Sequence, residues 1–125
     1  MNLETMSPNP VWSPDAYEET VETLREHDDV TYKVWGGDWC KDCRAQLPDF
    51  AAALHAADVS EDRIEDFAVE KEDDGSKVGP QVEAYDIERI PTVVVERDGE
   101  ELLRYVESAD RPAAVYVADA LDERS

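Results

Sequence analysis

Four segments of the chain have the pattern of helices, and in the longer ones apolar residues recur every three to four positions. The first spans residues 14–27 and begins with a proline, which suits the first helical position. The second runs from residue 40 to about residue 57 and contains Pro48, which is expected to kink the helix. A short helix is predicted over residues 78–86, and a last one opens at Pro112.

Runs of β-branched, aromatic and aliphatic residues between these helices predict four strands. They lie at residues 30–35, 65–71, 90–95 and 101–106. Asp98-Gly99, between the last two runs, is a turn sequence that favours a hairpin. The predicted order is αβαβαββα, in which helices join the early strands and the last two strands pair back antiparallel. This order predicts an α/β protein with three layers, α/β/α, around a central mixed sheet.

The length of 125 residues is enough for one domain. Residues 1–12 contain Pro8 and Pro10 and are expected to form a loose N-terminal arm, and residues 13–125 the domain. No stretch approaches the about 20 apolar residues that span a bilayer, and the start of the chain has no apolar signal core. We therefore expect a soluble, cytoplasmic protein.

The net charge of the chain restricts its expected partners and leaves the predicted fold as it is. The chain has 32 acidic and 12 basic residues, a formal net charge of -20. Such a surface repels the phosphates of nucleic acids and anionic lipids, so neither nucleic acid nor membrane is an expected partner. Acidity of this density resembles that of proteins from halophiles that accumulate salt; an acidic protein from an ordinary cytoplasm is the alternative.

The only two cysteines stand three positions apart in Trp39-Cys40-Lys41-Asp42-Cys43, where a strand ends and a helix begins. Free N–H groups and the helix dipole favour a thiolate on Cys40, which makes it the predicted nucleophile. Cys43, one turn further on, is placed to resolve a mixed disulfide. The alternatives are two incidental thiols or a zinc half-site; the latter lacks ligands, because His27 and His55 lie on separate predicted helices.

Three further motifs follow the cysteine pair in order. A proline stands eight residues after the first cysteine, an Ile-Pro-Thr sequence precedes a valine run, and a hairpin turn follows: Pro48, Ile90-Pro91-Thr92 and Arg97-Asp98-Gly99-Glu100. With Gly37-Asp38-Trp39-Cys40 before them, these motifs make the chain resemble the thioredoxin family from about residue 13 to residue 123. The resemblance implies the thioredoxin fold.

The resemblance also implies a protein-disulfide reductase that works through a redox-active Cys40–Cys43 disulfide and needs no cofactor or metal. Substrate binding is then expected at Trp39, Ile90 and a cis Pro91. The partners would be client proteins with disulfides or small disulfides, and a reductase or low-molecular-weight thiol would supply the electrons. A redox-sensing or scaffolding module without turnover is the alternative function.

The chain departs from the family pattern at several positions. Val34 stands where thioredoxins have a buried aspartate that helps to deprotonate the resolving thiol. Lys41 and Asp42, between the cysteines, are the candidates for tuning the thiol pKa, and Asp42 is the candidate proton acceptor. The Asp before the second cysteine resembles a Trp-Cys-x-Asp-Cys subgroup with a narrower substrate range. Glu107 replaces a glycine that flanks the family's substrate groove.

Overall fold

A computed structural model describes residues 3–73, 77–106 and 112–123. These residues form a four-stranded sheet in the order β2-β1-β5-β6, in which β1 and β2 are parallel and the other neighbours antiparallel. Its strands are β1 (Thr31–Gly36), β2 (Ile64–Ala68), β5 (Thr92–Arg97) and β6 (Glu100–Val106). A separate antiparallel pair consists of β3 (Glu70–Lys71) and β4 (Lys77–Val78). The predicted α/β class and mixed central sheet are confirmed.

The helices of the described residues are α1 (Glu18–Glu26), α2 (Lys41–Ala56) and α3 (Ala113–Glu123), and all three contact one another. A 3-10 turn, Pro14–Tyr17, leads into α1. The rings of Tyr32 on β1 and Phe50 on α2 meet edge to face, so α2 covers the sheet face to which Tyr32 and Val34 point. Lys33 and Trp35 point to the opposite face.

That opposite face is covered by residues 79–90, where the predicted helix over residues 78–86 is wrong. The segment consists of turns, because Gln81 (φ 60°) and Asp86 (φ 53°) adopt left-handed backbone conformations that an α-helix excludes. The Trp35 indole donates a hydrogen bond of 2.8 Å to the carbonyl oxygen of Pro80. Buried Val82 and Ile87 complete the attachment of the segment to the sheet.

The described part of the N-terminal arm is packed against the domain, contrary to the expected loose arm. Leu3, just before a 3-10 turn at Glu4–Met6, and Met6, the last residue of that turn, are buried in the core, and the turn contacts α2. The Asn9 backbone N–H donates to the carbonyl oxygen of Pro48 over 3.1 Å. The burial of two apolar side chains and this hydrogen bond outweigh the disorder that the prolines suggested.

The hairpin turn and the core agree with the predicted pattern. Asp98 (φ 52°) and Gly99 (φ 82°) both occupy the left-handed region, as a two-residue hairpin turn requires. The valines at 93–95 are fully buried in the central strand β5. No helix within the described ranges has the length and apolar character needed to cross a membrane. Glu107 lies outside the described residues.

Candidate active site

The two cysteines lie at the junction between the end of β1 and the start of α2. The strand ends at Gly36, and Cys40 is the cap residue before the first helical residue, Lys41. Cys40 is half-buried, and Cys43 is fully buried one helical turn further on. Both are free thiols. Cys40 is thus the more accessible of the two thiols, and Cys43 is enclosed.

The Cys40 sulfur faces the loop that precedes β5. Its Sγ lies 4.0 Å from the carbonyl oxygen of Ile90, and the Ile90–Pro91 peptide bond is cis, as the resemblance implied. Cys40 stands at the N-terminal end of α2 as its cap residue, and its side chain makes no capping hydrogen bond to the helix. The sulfur is therefore placed at a helix N-terminus, beside the loop that carries the cis bond.

Cys43 has the opposite environment. The pKa of its thiol is raised to about 12, mainly by burial and to a smaller extent by the neighbouring Cys40 and the Asp42 carboxylate, while a 3.4 Å hydrogen bond from the Gly37 N–H lowers it. Burial is the largest of these causes because a thiolate loses its hydration there. Cys43 is therefore a protonated thiol near neutral pH and must lose its proton before it can attack.

Trp39, the residue before Cys40, has a partly exposed side chain. Its side chain is 47% exposed, and its indole N–H donates to the carbonyl oxygen of Val69 over 2.9 Å. The ring packs against Gly37, and a Cβ atom placed on Gly37 would lie 2.6 Å from the indole nitrogen. Position 37 thus excludes any larger residue while the ring keeps this orientation.

The structure brings some predicted site residues together and separates others. Ile90 and Pro91 are both buried, and their backbone borders Cys40. Lys41 and Asp42 are exposed on the first turn of α2. The Asp42 carboxylate raises the pKa of Cys43, so its charge opposes ionisation of that thiol. Asp42 as a proton acceptor stays a prediction.

Two carboxylates near the site were missed by the sequence reasoning. Asp38, in the segment from Gly36 to Gln46 that is here called the redox loop, accepts hydrogen bonds from the backbone N–H groups of Thr5 (3.0 Å) and Glu4 (3.3 Å). Asp66 is 5% exposed, pairs in register with Val34 and accepts a 2.7 Å hydrogen bond from the Leu3 N–H. For Asp66, the only available signal in the sequence was the position of an acidic residue within the predicted strand.

A third missed feature lies on the other face of the sheet. Lys33 donates to the Tyr85 hydroxyl over 2.9 Å, and that hydroxyl donates to Glu96 over 2.6 Å. The Lys33 ammonium also lies 3.3 Å from the Glu96 carboxylate. In the part of the chain that the structure describes, no group of three or more His, Cys, Asp and Glu side chains is arranged to hold a metal ion.

Comparison with known proteins adds a fold assignment. No protein-family model matches the chain, and no curated protein matches its sequence. Solved structures are similar to it, and three of them match over nearly the whole of both chains. A mutant thioredoxin from Halobacterium salinarum NRC-1 has 20% sequence identity and a TM-score of 0.52, and the match covers 98% of this chain and 95% of that one. A thioredoxin from Trypanosoma brucei brucei has 15% identity and a TM-score of 0.50, with coverage of 99% and 96%. Thioredoxin O2 from Arabidopsis thaliana in its oxidized state has 11% identity and a TM-score of 0.50, with coverage of 98% and 97%.

These likenesses establish the class of the molecule. The chain has the thioredoxin fold, as the sequence motifs implied. At 11–20% identity the comparison identifies the fold and leaves the activity to the chemistry of the site.

Proposed function

We propose that the protein is a thiol-disulfide oxidoreductase that reduces disulfides with the Cys40/Cys43 pair. The observation that carries the proposal is the difference between the two thiols. Cys40 is reachable and lies at the start of α2 beside the Ile90 carbonyl, whereas Cys43 is enclosed and its pKa is raised to about 12. A pair with one attacking and one resolving thiol needs this division.

In the proposed reaction the Cys40 thiolate attacks one sulfur of a substrate disulfide. A Cys40–substrate disulfide forms, and the substrate's other sulfur leaves as a thiolate. Cys43 then gives up its proton, for which that leaving thiolate is one acceptor, and attacks the Cys40 sulfur. The second substrate thiolate departs and is protonated. Two electrons pass to the substrate, and the protein is left with a Cys40–Cys43 disulfide.

The surroundings of Cys40 favour an extended disulfide-bearing segment as substrate. The Ile90 carbonyl oxygen lies 4.0 Å from the sulfur. A substrate segment that reaches Cys40 would pass this loop, where an extended chain can pair with backbone groups. Trp39, the residue before Cys40, offers a partly exposed apolar surface. We propose client proteins or small disulfides as substrates, a cytoplasmic reductase or low-molecular-weight thiol as electron donor, and no bound cofactor.

Reduction of insulin disulfides by dithiothreitol tests this function. We expect the wild-type protein to accelerate the reaction, and the Cys40→Ser, Cys43→Ser double variant to leave it at the rate of dithiothreitol alone. Both proteins should give the same circular dichroism spectrum. An inactive wild-type protein would rule out the reductase. If both proteins then bound the same partner, the scaffolding module would replace it.

We also propose that the acidity is an adaptation to a salt-rich cytoplasm. A net charge of -20 repels itself at low ionic strength, and molar salt shortens the screening length to about 3 Å. The redox loop is balanced, because Asp38 and Asp42 are offset by Lys41 and Arg44. A thioredoxin of a Halobacterium is among the similar structures.

This assignment predicts a split response to salt. From about 0.1 M to about 2 M KCl, we expect the free energy of unfolding to rise by on the order of 2 kcal/mol or more. The rate of Cys40 alkylation in the folded protein should change by less than about twofold, because the charges near it cancel. Denaturant titrations and iodoacetamide kinetics measure the two quantities. Equal responses would contradict the assignment.

A further inference from the structure

The N-terminal residues 3–6, here called the clasp, are fastened to the redox loop itself. The Asp38 carboxylate, two positions before Cys40, accepts the N–H groups of Thr5 at 3.0 Å and of Glu4 at 3.3 Å. Asp38 follows Gly37, whose N–H donates to the Cys43 sulfur. Two successive residues of this loop therefore bind the Cys43 sulfur and the clasp, Gly37 the sulfur and Asp38 the clasp.

A second attachment lies deeper in the protein. The Leu3 N–H donates over 2.7 Å to an oxygen of the Asp66 side chain, which is 5% exposed. A buried hydrogen bond of this kind holds its donor in place, because either group would lose its partner if the clasp moved away. Leu3 and Met6 are 3% and 1% exposed. The clasp is thus held by two carboxylates and two buried side chains.

The clasp also forms part of the enclosure around Cys43. A Cβ placed on Gly36 would lie 3.4 Å from the Leu3 Cδ1 atom and 3.4 Å from the Cys43 Sγ atom. Leu3 and the Cys43 sulfur therefore border the same space beside Gly36, together with Leu47, whose Cδ1 atom would lie 2.8 Å from that Cβ. Displacing Leu3 would open this side of the sulfur to water and to reagents.

We propose that the clasp keeps the resolving cysteine enclosed, with Leu3 as its lid and Asp38 as the positioning residue that ties it to the redox loop. The role rests on the proposed dithiol function, since enclosure matters if Cys40 alone is to meet substrates. An incoming disulfide then reaches Cys40 only, and Cys43 attacks only from inside the protein. Which sulfur is attacked determines the course of thiol–disulfide exchange.

The test measures how fast Cys43 is alkylated by iodoacetamide in the folded Cys40→Ser protein, where it is the only thiol. Leu3→Asp places a charge in a buried site and should expel the clasp, so we expect alkylation to become at least about tenfold faster. Val11→Asp is the matched control, because Val11 is 84% exposed in the same N-terminal segment. It adds the same charge, and its rate should stay within about twofold.

A second pair of variants covers the case in which Leu3→Asp does not fold. In the same background, Asp38→Ala should speed Cys43 alkylation about tenfold, and Asp38→Asn, which keeps an acceptor oxygen for the Thr5 N–H, should restore most of the protection. Asp28→Ala, at the opposite end of β1, removes an exposed carboxylate and should leave the rate unchanged.

Unfolding curves of each variant separate local opening from global loss of stability. A folded Leu3→Asp or Asp38→Ala protein whose Cys43 is alkylated no faster than in the parent would overturn the proposal. The same holds if the Val11→Asp or Asp28→Ala control is accelerated equally. Alkylation requires no turnover, so this result is independent of whether the wild-type protein reduces disulfides.

Discussion

The Cys43→Ser protein is expected to accumulate a covalent adduct with a disulfide substrate. Cys40 still attacks, because its half-buried position beside Ile90 and its place at the start of α2 do not involve the Cys43 sulfur. Without a resolving thiol, the Cys40–substrate disulfide stays until an external thiol cleaves it. Mass spectrometry of acid-quenched, non-reduced samples should show one substrate chain per protein, and dithiothreitol should release it.

The opposite substitution should stop the reaction before this point. Cys40→Ser leaves Cys43 as the only thiol, and Cys43 is fully buried with a pKa raised to about 12. We expect no adduct on the same timescale and a fall in disulfide reduction by roughly 10³-fold or more, because a serine hydroxyl is not ionised at neutral pH. Adducts that form faster on Cys43 than on Cys40 would reverse the two assignments.

Local pattern was sufficient to predict the sheet. The valines at 93–95 form a central strand because they are buried on both faces, and Asp98-Gly99 specifies its hairpin through two left-handed residues. The switch from a strand to a helix at residues 36–41 was also readable, since two glycines end β1 and helical spacing resumes at once. These features depend on residues close together in sequence.

Long-range hydrogen bonds account for what the pattern did not predict. Residues 79–90 follow the sheet face through contacts with Trp35 and Arg104, whose guanidinium donates to the Tyr85 carbonyl oxygen over 2.7 Å. The clasp is held by Asp38 and Asp66, which are 33 and 63 positions from their donors Thr5 and Leu3. No periodicity in the sequence encodes such pairs.

The candidate site was predictable in its residues and not in its energetics. The spacing of the cysteines identified Cys40 and Cys43. The burial of the Cys43 side chain depends on residues distant in sequence, because Leu47 and Leu3 of the clasp pack beside Gly36 next to its sulfur. Asp42 was proposed as a help to ionisation from its position alone. Its charge raises the pKa of Cys43, because an anion beside a thiol disfavours the thiolate.

The Lys33–Tyr85–Glu96 network should make the largest single contribution to stability among the polar groups discussed. The Lys33 and Glu96 side chains are 15% and 8% exposed, and Tyr85 bridges them by hydrogen bonds of 2.9 and 2.6 Å. Removing Glu96 leaves the largely buried Lys33 ammonium with the neutral Tyr85 hydroxyl and the more distant, exposed Glu65 as its remaining partners. Glu96→Ala is therefore expected to lower the free energy of unfolding by about 3–5 kcal/mol, measured by denaturant titration.

Two comparison variants isolate the cause of that loss. Glu65→Ala removes the more distant carboxylate, 3.9 Å from Lys33 and 50% exposed, and should cost less than about 1 kcal/mol. The Lys33→Met, Glu96→Leu double variant removes both charges and should recover most of the stability lost in Glu96→Ala. If the double variant had a free energy of unfolding as low as that of Glu96→Ala, lost packing and not the unpaired charge would be the cause.

The pH dependence of the same network has a definite sign. The hydrogen bond with Tyr85, followed by the interactions with Glu96, raises the pKa of Lys33 above its ordinary value of 10.5. A group whose pKa is higher in the folded protein contributes its full stability below the unfolded pKa and loses it as pH rises through the folded one. The wild-type advantage over the double variant in free energy of unfolding should thus be constant at neutral pH and shrink above pH 10.5. An advantage that shrank between pH 7 and pH 9 would assign the dependence to another group.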